Sequence, residues 1–477
     1  MNIIVAFCNK KGIGLNNSIP WKIISDLRYF KKVTSYSNNP ILKNVVIMGR
    51  KTWESIPLEF RPLHDRINII LSKEKNFKCH GGFVCDSLND AVNTIKSINN
   101  VNMDNIFIIG GDSVYKQVIN NSNIKKIYVT EIYKKYNCDT HFPEIPDKFK
   151  LISVSSFKEE NNIYFRYLVY INNRLNNYNT YNFIWNNKEE QQYLDCLNEI
   201  LTVGIERNDR TGVGTLSLFG KSFKYNLSDT FPLLTTKKMF TRGIFEELKF
   251  YLIGKTDNTI LNNKNVNIWN GNTSRDFLDK RGLNHYPEGD MGETYGFNFR
   301  HYGADYNTCK DDYKGQGYDQ VENAIHLIKT NPESRRIIID IWNCSTIHKS
   351  ALPPCLCKYQ FYVNTIEKTL DLMIYIRSSD FFLANNWNTC TGAFLVHMIC
   401  NLKGIDLSPG ILTVITGDTH IYNTHIDQVK ENLKRHPRPF PKLVIKEKKD
   451  DINDFEYSDI EILGYNPYPN IPAPMAV

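Results

Sequence analysis

One cysteine stands in a setting that suits a nucleophile. Cys355 directly follows two prolines in the stretch Ala351-Leu-Pro-Pro-Cys355, and residues 359–363 after it are typical of a strand. Because proline fixes φ and donates no backbone hydrogen bond, this thiol stands at a rigid turn or strand edge rather than in a helix. A nucleophile held in that way meets a bound substrate with little slack. A single cysteine is, however, more often a small buried hydrophobe, so both interpretations stay open at this point.

Two carboxylates could transfer protons. Asp26 lies in a predicted helix, residues 23–32, on the same face as Leu27 and Phe30. It is either a charge that suits the first turn of the helix or a pocket carboxyl with a raised pKa. Glu247 lies in another predicted helix, where an isolated glutamate is usually a solvated charge.

Three apolar strands in the N-terminal part end in groups that can hold an anion. Backbone N–H groups and the positive end of a helix dipole bind phosphate where a strand leads into a helix, and glycines let the backbone approach a pyrophosphate closely. The groups are Gly49-Arg50-Lys51-Thr52, Ser72-Lys73 and Gly110-Gly111-Asp112-Ser113-Val114. They lack the GxGxxG fingerprint, but three such junctions in order indicate a phosphorylated dinucleotide.

Arginines in the C-terminal part indicate a second phosphate partner. Arg210 lies in a polar, glycine-bearing loop, residues 207–215, and Arg335 and Arg336 stand together before a β-rich run. Adjacent arginines at the start of a strand are unusual, and the planar guanidinium group binds phosphate well.

The composition is that of an ordinary globular protein with two to four domains. The 477 residues are 42% hydrophobic and 23% charged, with a net charge of +7. No apolar run reaches the length of a membrane span, and the N-terminus enters a strand pattern without a signal peptide. Eleven cysteines without paired CxxC sets argue against a disulfide framework or a metal site and favour a reducing compartment, so we expect a cytoplasmic protein.

The positive charge has two interpretations. Nucleic-acid binding is one, but the basic residues are dispersed and no RNA-binding motif is present, so arginines that bind small anions are favoured. Residues 173–188 are polar, rich in asparagine and without helical or strand periodicity. They predict a short linker between a domain of residues 1–172 and a domain of residues 189–477. The linker tyrosines, Phe183 and Trp185 would pin it to one domain.

Residues 1–172 resemble dihydrofolate reductase along their whole length. The matching motifs are Ile13-Gly14, Ile19-Pro-Trp21, Asp26 before Leu27-Arg-Tyr-Phe30, Met48-Gly-Arg-Lys-Thr-Trp53, Ser55-Ile-Pro57, Arg61-Pro-Leu63, Arg66, Gly110-Gly111, and Asp139-Thr140 with Phe142-Pro143. The resemblance implies an α/β sheet domain that reduces dihydrofolate with NADPH.

The same resemblance implies roles for single residues. Asp26 would bind the pterin and assist its protonation through solvent, and Thr130 would hydrogen-bond this acid. Arg66 would grip a folate carboxylate, since its planar fork binds carboxylates bidentately, and Phe30 would also contact folate. The residues expected to bind the cofactor are Ala6, Ile13, Gly14, Arg50, Lys51, Thr52, Ser72, Lys73, Gly110, Gly111, Asp112, Ser113 and Val114.

Residues 190–477 resemble thymidylate synthase. The matching stretches are Arg210-Thr-Gly212, Phe231-Pro-Leu-Leu-Thr-Thr-Lys237, Glu246-Glu-Leu248, Ile268-Trp269 with Asn272, Tyr295-Gly-Phe297, Arg300-His301, Asn331-Pro with Arg335-Arg336, Ala351-Leu-Pro-Pro-Cys355, Arg377-Ser378 with Asp380, Gly417-Asp418 with His420-Ile-Tyr422, Arg438-Pro-Phe-Pro441, and Met475-Ala-Val477. This resemblance implies an α+β domain that methylates dUMP with methylenetetrahydrofolate, as a homodimer. The order of the two segments looks like that of the bifunctional dihydrofolate reductase–thymidylate synthase family of protozoa and plants.

In that family pattern Cys355, as a thiolate, would attack C6 of dUMP, and neighbouring arginines should lower its pKa. Glu247 would organise water and proton transfer. Asn388 would read O4 and N3–H of uracil, which favours dUMP over dCMP. The other residues expected to bind dUMP are Arg210, Arg377, Ser378, Asp380, His420 and Tyr422, with Arg335 and Arg336 from the partner subunit. Those expected to contact folate are Trp269, Asn272, Asp380 and Val477.

Several positions of the second segment differ from the usual synthase pattern. Leu356 follows the nucleophile where the family usually has His, and Ile376 replaces Gln before the Arg-Ser pair. Residues 384–392, expected to form a loop, read Ala-Asn-Asn-Trp-Asn-Thr-Cys-Thr-Gly in place of Gly-Leu-Pro-Phe-Asn-Ile-Ala-Ser-Tyr. Lost hydrogen bonds in that pocket would slow the synthase. A second hypothesis therefore keeps the reductase active and makes the synthase segment a dimerisation scaffold, although the nucleophile and the phosphate-binding arginines remain.

Overall fold

The chain forms two compact units. The computed structural model describes residues 1–37, 39, 41–174 and 185–475. The chain divides into Met1–Trp185 and Asn186–Val477. Across the described ranges, no helix is both long and apolar enough to cross a bilayer.

The first unit alternates strands with helices, as its apolar runs predict. Val45, Val46, Ile47 and Met48 are all fully buried, which is typical of a strand covered on both faces. The elements are β1 (Asn2–Phe7), β2 (Gly12–Gly14), α1 (Ile24–Ser35), β3 (Lys43–Gly49), α2 (Arg50–Ser55), β4 (Arg66–Leu71), β5 (Phe83–Cys85), α3 (Leu88–Ser97), β6 (Val101–Gly110), α4 (Asp112–Val118), β7 (Lys126–Ile132), β8 (Thr140–His141), β9 (Phe149–Val154), β10 (Lys158–Glu160) and β11 (Ile163–Asn172).

The main sheet of this unit has the strand order β10-β11-β7-β1-β6-β3-β4-β5, with β9 also paired to β11. The strands from β7 to β5 run parallel, and β11 pairs antiparallel with its neighbours. The carboxyl ends of parallel strands meet at one edge of a sheet, where open α/β sheets bind ligands. That edge therefore gathers the groups predicted to hold a cofactor.

One predicted strand-to-helix junction is wrong. β3 and β6 do lead into helices α2 and α4, but after β4 the chain continues as a loop to β5. Residues 74–82 are mostly polar and end in two glycines, which disfavour a helix. Ser72 and Lys73 therefore lie at the sheet edge without a helix N-terminus behind them.

The second unit has a single large sheet covered by helices on one face. Its elements are α5 (Lys188–Val203), β12 (Ile205–Arg207), β13 (Thr215–Asn226), α6 (Thr241–Leu252), α7 (Thr259–Asn262), α8 (Arg275–Lys280), α9 (Tyr295–Arg300), α10 (Gln320–Thr330), β14 (Ile338–Asp340), β15 (Leu356–Asn364), β16 (Thr369–Asp380), α11 (Asn385–Cys400), β17 (Ser408–Tyr422), α12 (Ile426–Leu433), β18 (Lys442–Ile445) and β19 (Ile460–Leu463). The sheet order is β12-β13-β17-β16-β15-β14. Helices α5 and α11 pack on this sheet and α6 packs against α11, so the predicted α/β plus α+β architecture is confirmed.

The altered stretch 384–392 is not a loop, as expected, but the first half of α11. The helix is buried along its length except at Trp387 and Asn388. Its asparagines have low helix propensity, yet Asn386 donates to Pro232 O at 2.8 Å and accepts from Leu234 N at 3.3 Å. Tertiary hydrogen bonds of this kind override the local preference.

Of the predicted linker 173–188, residues 175–184 lie outside the described residues, and Phe183 with them. The Trp185 backbone N–H donates to Leu151 O at 2.9 Å, which fixes the end of this segment on the first unit. α5 begins at Lys188, and the Asn187 side chain caps it by accepting from Glu190 N at 3.2 Å.

A buried carboxylate anchors the start of the second unit. Glu190 is fully buried, and burial raises its pKa. It accepts from Thr235 N and Oγ1 at 2.8 and 2.6 Å, and from Thr236 N and Oγ1 at 2.7 and 2.8 Å. The helix thereby holds the segment that leads into α6.

We expect Glu190→Ala to lower the free energy of unfolding by at least about 3 kcal/mol, because it strands two buried backbone N–H groups. Glu189→Ala is the matched control, since Glu189 accepts only one backbone bond, from Asn226 N at 3.1 Å. Thermal and urea unfolding of the full chain would measure both. Equal losses in the two variants would contradict the anchoring role.

Candidate active sites

The first unit contains a cavity of about 1260 Å³ at the carboxyl edge of its parallel strands. The predicted folate and cofactor residues of this unit all line it: Ala6, Ile13, Gly14, Asp26, Phe30, Arg50, Lys51, Thr52, Arg66, Ser72, Lys73, Gly110, Gly111, Asp112, Ser113, Val114 and Thr130. These residues come from eight different elements or the loops after them, and the fold brings them together around one cavity.

Asp26 is the acidic group of this cavity. Thr130 Oγ1 donates to its Oδ1 at 2.6 Å, the hydrogen bond that the resemblance predicts. Burial raises the pKa of Asp26 to about 6, the Thr130 bond opposes this rise, and the charge of Glu160 adds to it. Asp26 also lies in the first turn of α1, so both interpretations of its position hold together.

Glu160 positions the helix that carries Asp26. Its carboxylate accepts from Ile24 N at 2.6 Å, and from Ser25 N and Oγ at 3.0 and 2.5 Å. The residue before α1, Ile23, offers no side-chain cap, so this carboxylate from β10 takes that place. Nothing in the spacing of the sequence links residues 24 and 160.

The opposite end of the cavity suits a pyrophosphate. Gly110 has a φ of +132°, and a Cβ on Gly111 would lie 3.1 Å from Thr52 Oγ1. Arg50 is shared by Glu54 at 2.8 Å and Glu74 at 3.3 Å, which the sequence analysis missed. Lys51 and Lys73 make no ion pair with the described residues, so two unpaired cations remain for phosphate groups.

Arg66 is held by groups of its own domain. Its Nη1 donates to Thr34 Oγ1 at 2.7 Å and its Nε to His64 O at 2.9 Å, while the guanidinium lies 5.8 Å from the Phe30 ring centre. Burial lowers its pKa. The N–H groups of Nη2 remain for the carboxylate that it is predicted to bind.

In the second unit, Cys355 sits on a turn fixed from three sides. Its N–H donates to Tyr295 Oη at 2.8 Å, and its carbonyl accepts from Arg377 N at 2.9 Å. The Arg377 side chain donates to the carbonyls of Pro354 at 2.9 Å and Pro353 at 3.0 Å. The predicted phosphate ligand Arg377 therefore also clamps the proline turn.

Neighbouring arginines do act to lower the Cys355 pKa, as predicted, but their effect is outweighed by burial in the single chain. Burial raises the pKa of this thiol above its usual value, and the charges of Arg377 and Arg210 only partly offset that effect. Arg210 is exposed and lies 5.8 Å from the Phe277 ring centre.

Glu247 is buried rather than solvated. Tyr251 Oη and Trp269 Nε1 donate to its Oε1 at 2.8 Å each, and Trp387 Nε1 donates to its Oε2 at 2.6 Å. Burial nevertheless keeps the pKa of Glu247 above its usual value. The Tyr251 ring stacks on Tyr295 with centroids 4.8 Å apart, which links this carboxylate to the backbone of the nucleophile.

Some of the remaining predicted pyrimidine and folate residues lie near Cys355. Asp380 and His420 are register partners on β16 and β17, and His420 Nδ1 is 2.9 Å from Asp418 Oδ1. The electrostatic influence of Asp380 and Arg210 reaches Cys355, and that of Cys355 reaches Tyr422. Ser378 follows Arg377 on β16, and the buried Asn272 has an amide nitrogen without a partner among the described residues.

Three of the predicted ligand residues, Arg335, Arg336 and Asn388, have side chains that make no hydrogen bond with the residues that the structure describes. Arg335 and Arg336 are exposed, and their guanidinium groups make no hydrogen bond or ion pair with any residue that the structure describes. Val477 lies outside the described residues. The Asn388 side chain likewise makes no hydrogen bond in the described ranges, so its amide is free for a ligand.

The two departures beside the nucleophile form one apolar contact. Leu356 and Ile376 are register partners on β15 and β16, and both are fully buried in the same core. Replacing both members of a polar pair by apolar groups is close to neutral, whereas replacing one leaves a buried group unsatisfied. This chain therefore has an apolar pair, Leu356 and Ile376, where the usual family pattern has the polar pair His and Gln.

A dinucleotide-type cavity with a buried acid, and a clamped thiol beside a buried carboxylate, define a chain that joins a reductase to a synthase. A dihydrofolate reductase family model matches residues 1–172, and a thymidylate synthase family model matches residues 191–477. The chain belongs to the bifunctional dihydrofolate reductase–thymidylate synthase family.

Relatives from plants and protozoa are similar along the whole chain. The bifunctional dihydrofolate reductase-thymidylate synthase of Zea mays is 38% identical, over 100% of this chain and 96% of its own length. The protein of that name from Paramecium tetraurelia is 39% identical, over 100% of this chain and 98% of its own length. The protein of that name from Leishmania major is 37% identical, over 100% of this chain and 95% of its own length.

The Leu356–Ile376 contact makes a testable prediction. Leu356→His alone should lower the free energy of unfolding by roughly 2–4 kcal/mol, because it buries an imidazole without a partner. Adding Ile376→Gln should restore at least about 1 kcal/mol, since the two side chains can then hydrogen-bond.

Urea unfolding of the single and double variants would measure this coupling. The control combines Leu356→His with Ile374→Gln, because Ile374 is equally buried but pairs with Tyr359 instead. If Ile376→Gln restored no more stability than Ile374→Gln, the two positions would not act as a pair.

Proposed function

We propose that this chain makes dTMP at one site and regenerates reduced folate at the other. The synthase domain, residues 189–477, methylates dUMP with methylenetetrahydrofolate, and the reductase domain, residues 1–172, reduces the dihydrofolate product with NADPH. One observation carries the proposal: a chain that matches both families along its length keeps a cavity carboxyl, Asp26, in one unit and a clamped thiol, Cys355, in the other. The cytoplasmic location expected from the sequence stays a prediction.

In the reductase domain, Asp26 binds and orients the pterin and maintains a proton near it. Its pKa of about 6 leaves a fraction of the carboxyl protonated near neutral pH, and Thr130 fixes its orientation. NADPH supplies the hydride when bound. Lys51, Lys73 and the glycine pair would hold its phosphates, and Arg66 would bind the folate carboxylate.

In the synthase domain, the Cys355 thiolate attacks C6 of dUMP and makes C5 nucleophilic. Methylenetetrahydrofolate supplies the one-carbon unit and the hydride. Glu247 handles protons at the pyrimidine, and Asn388 pairs with its O4 and N3–H. Because burial opposes ionisation of the thiol, we infer that the phosphate-binding arginines act together to offset it.

The scaffold hypothesis, an inactive synthase domain, is not favoured. Two of the departures that motivated it, Leu356 and Ile376, form a compensated apolar contact. The altered stretch 384–392 supplies Trp387, one of three donors to the carboxylate of Glu247. A domain that served only for dimerisation would need neither the donors nor the Arg377 clamp.

Separate variants should abolish the two activities independently. Cys355→Ser should lower dTMP formation by roughly a thousandfold or more and spare dihydrofolate reduction. Asp26→Asn should lower reduction roughly a hundredfold and spare dTMP formation. Because the protonated acid is the active form, kcat/KM for dihydrofolate should fall as pH rises through about 6, and Asp26→Asn should remove this limb.

Absorbance would measure dTMP formation, as the appearance of dihydrofolate from dUMP and methylenetetrahydrofolate without NADPH. NADPH oxidation in the presence of dihydrofolate would measure dihydrofolate reduction. A wild-type chain that reduces dihydrofolate but forms no dTMP would restore the scaffold hypothesis.

We further propose that the synthase domain pairs with a second copy of itself through the outer face of its sheet. Tyr362, Met373 and Tyr375 lie on this face and are 64%, 36% and 39% exposed. A cavity of about 380 Å³ on the same face is lined by Tyr375 and by Arg377, which clamps the nucleophile turn. The unpartnered Arg335 and Arg336 would reach the phosphate of the other subunit.

Mixed dimers test this shared site. Cys355→Ser subunits mixed with Arg335→Ala/Arg336→Ala subunits should recover about a quarter of the wild-type dTMP rate, because half of the dimers then hold one intact site. Cys355→Ser mixed with Glu247→Gln is the control and should recover nothing, since both residues belong to one subunit's site. No recovery in the first mixture would mean that the arginines act within their own chain.

A further inference from the structure

Glu247 has one hydrogen-bond donor to which the family resemblance gives no role. Trp387 stands in the altered stretch of α11, at the fourth position, where the usual synthase pattern has Phe. Its indole N–H donates to Glu247 Oε2 at 2.6 Å, the shortest of the three bonds to this carboxylate. A phenyl ring could not form this bond, because it has no donor.

The three donors distribute unequally over the carboxylate. An ionised carboxylate has about four acceptor positions, two on each oxygen. Tyr251 and Trp269 fill both positions on Oε1, and Trp387 fills one on Oε2. The fourth position, which is the one left for water or substrate, therefore belongs to the oxygen that Trp387 holds.

The backbone of α6 makes room for this indole. Gly243 lies four residues before Glu247 on the same helix, and a Cβ there would approach Trp387 Cη2 to 2.9 Å and Phe240 Cδ1 to 2.5 Å. Both distances are too short for a real Cβ, so an alanine would displace the rings. Because glycine is unfavourable inside a helix, its presence fits the need to seat Trp387.

We propose that Trp387 is a positioning residue of the synthase reaction, whose indole N–H fixes Oε2 of Glu247 so that its free acceptor position faces the reacting pyrimidine and water. The proposal rests on the synthase function proposed above. Trp387 is not itself catalytic, since it acts through Glu247. Its neighbour Asn388 is the residue predicted to read the base, and these two are the accessible residues of α11.

Glu247 is the carboxyl group of this cluster, and burial raises its pKa above the usual value. The other titratable side chains that face it are Tyr251, Tyr295 and Tyr359, and burial raises the pKa of each well above its usual value. The hydrogen bond from Trp387 is the largest of the effects that oppose the rise in the pKa of Glu247.

The main test is Trp387→Phe in the full chain. We expect kcat for dTMP formation to fall roughly ten- to a hundredfold, the loss of one bond to a charged group, with little change in KM for dUMP. The limb of the kcat–pH profile that reports Glu247 should move to higher pH, because one donor that favours the ionised form is gone. Dihydrofolate reduction by the same chain is the internal control.

Two further variants separate positioning from packing. Phe240→Leu changes the edge-on ring contact with Trp387, whose centroids are 6.5 Å apart, but removes no donor. It should alter thermal stability without moving the pH profile. Gly243→Ala should reproduce the pH shift of Trp387→Phe while the helix keeps or gains stability, because the added methyl displaces the indole.

An independent readout uses the wild-type chain with ¹⁵N-labelled indoles. The signal of Trp387, identified among the six tryptophans by its loss in Trp387→Phe, should titrate with the same midpoint as that of Trp269. In Glu247→Gln neither should titrate. A Trp387 signal that stays constant while the Trp269 signal moves would overturn the proposal.

The kinetic outcomes are also decisive. A chain that forms dTMP with the same pH profile in wild type and Trp387→Phe would overturn this inference alone. A wild-type chain that forms no dTMP would overturn the proposed synthase function and, with it, the role of Trp387.

Discussion

The cost of taking a carboxyl group out of water governs both active sites. Desolvation favours the neutral acid, and hydrogen bonds from the protein favour the ionised form, so the number of donors sets the balance. Asp26 receives one bond, from Thr130, and its pKa of about 6 suits a group that must carry a proton. Glu247 receives three bonds that fix its orientation, but it is more deeply enclosed, and burial still keeps its pKa above the usual value.

The synthase domain shows how such a site can change without failing. Its differences from the usual family pattern look like separate losses in the sequence, but the fold groups them. Leu356 and Ile376 face each other, so neither leaves an unsatisfied polar atom. Trp387 adds a donor to Glu247 instead of removing one. The polar contacts of the site are therefore redistributed over different residues.

Much of the fold and of the reductase site could be predicted because short-range patterns carry the information. Apolar runs marked the buried strands, and the groups after β3 and β6 predicted the cofactor end of the cavity. Contacts across long stretches of sequence could not be predicted, as with Glu160 capping α1 and Glu74 sharing Arg50. α11 was missed because its asparagines are satisfied only by tertiary partners, such as Pro232 O.

The net shift of the Cys355 pKa could not be predicted, for a related reason. Counting arginines in a sequence gives their charge but not their distance or the desolvation that opposes them. In the single chain Arg377 is occupied with two proline carbonyls, and Arg335 and Arg336 have no partner that the structure describes. The electrostatics of this thiol are thus a property of the complete site with its ligand, and no single segment of sequence contains it.

Two consecutive residues in the first turn of α11, Trp387 and Asn388, have different functions. Trp387 holds the carboxylate that handles protons, and Asn388 is the residue expected to recognise the base. Successive helical residues are fixed about 100° apart by a backbone that cannot move one without the other. Mutations that shift this turn to accommodate another pyrimidine would also tilt the carboxylate, so base selectivity and turnover would evolve as linked traits.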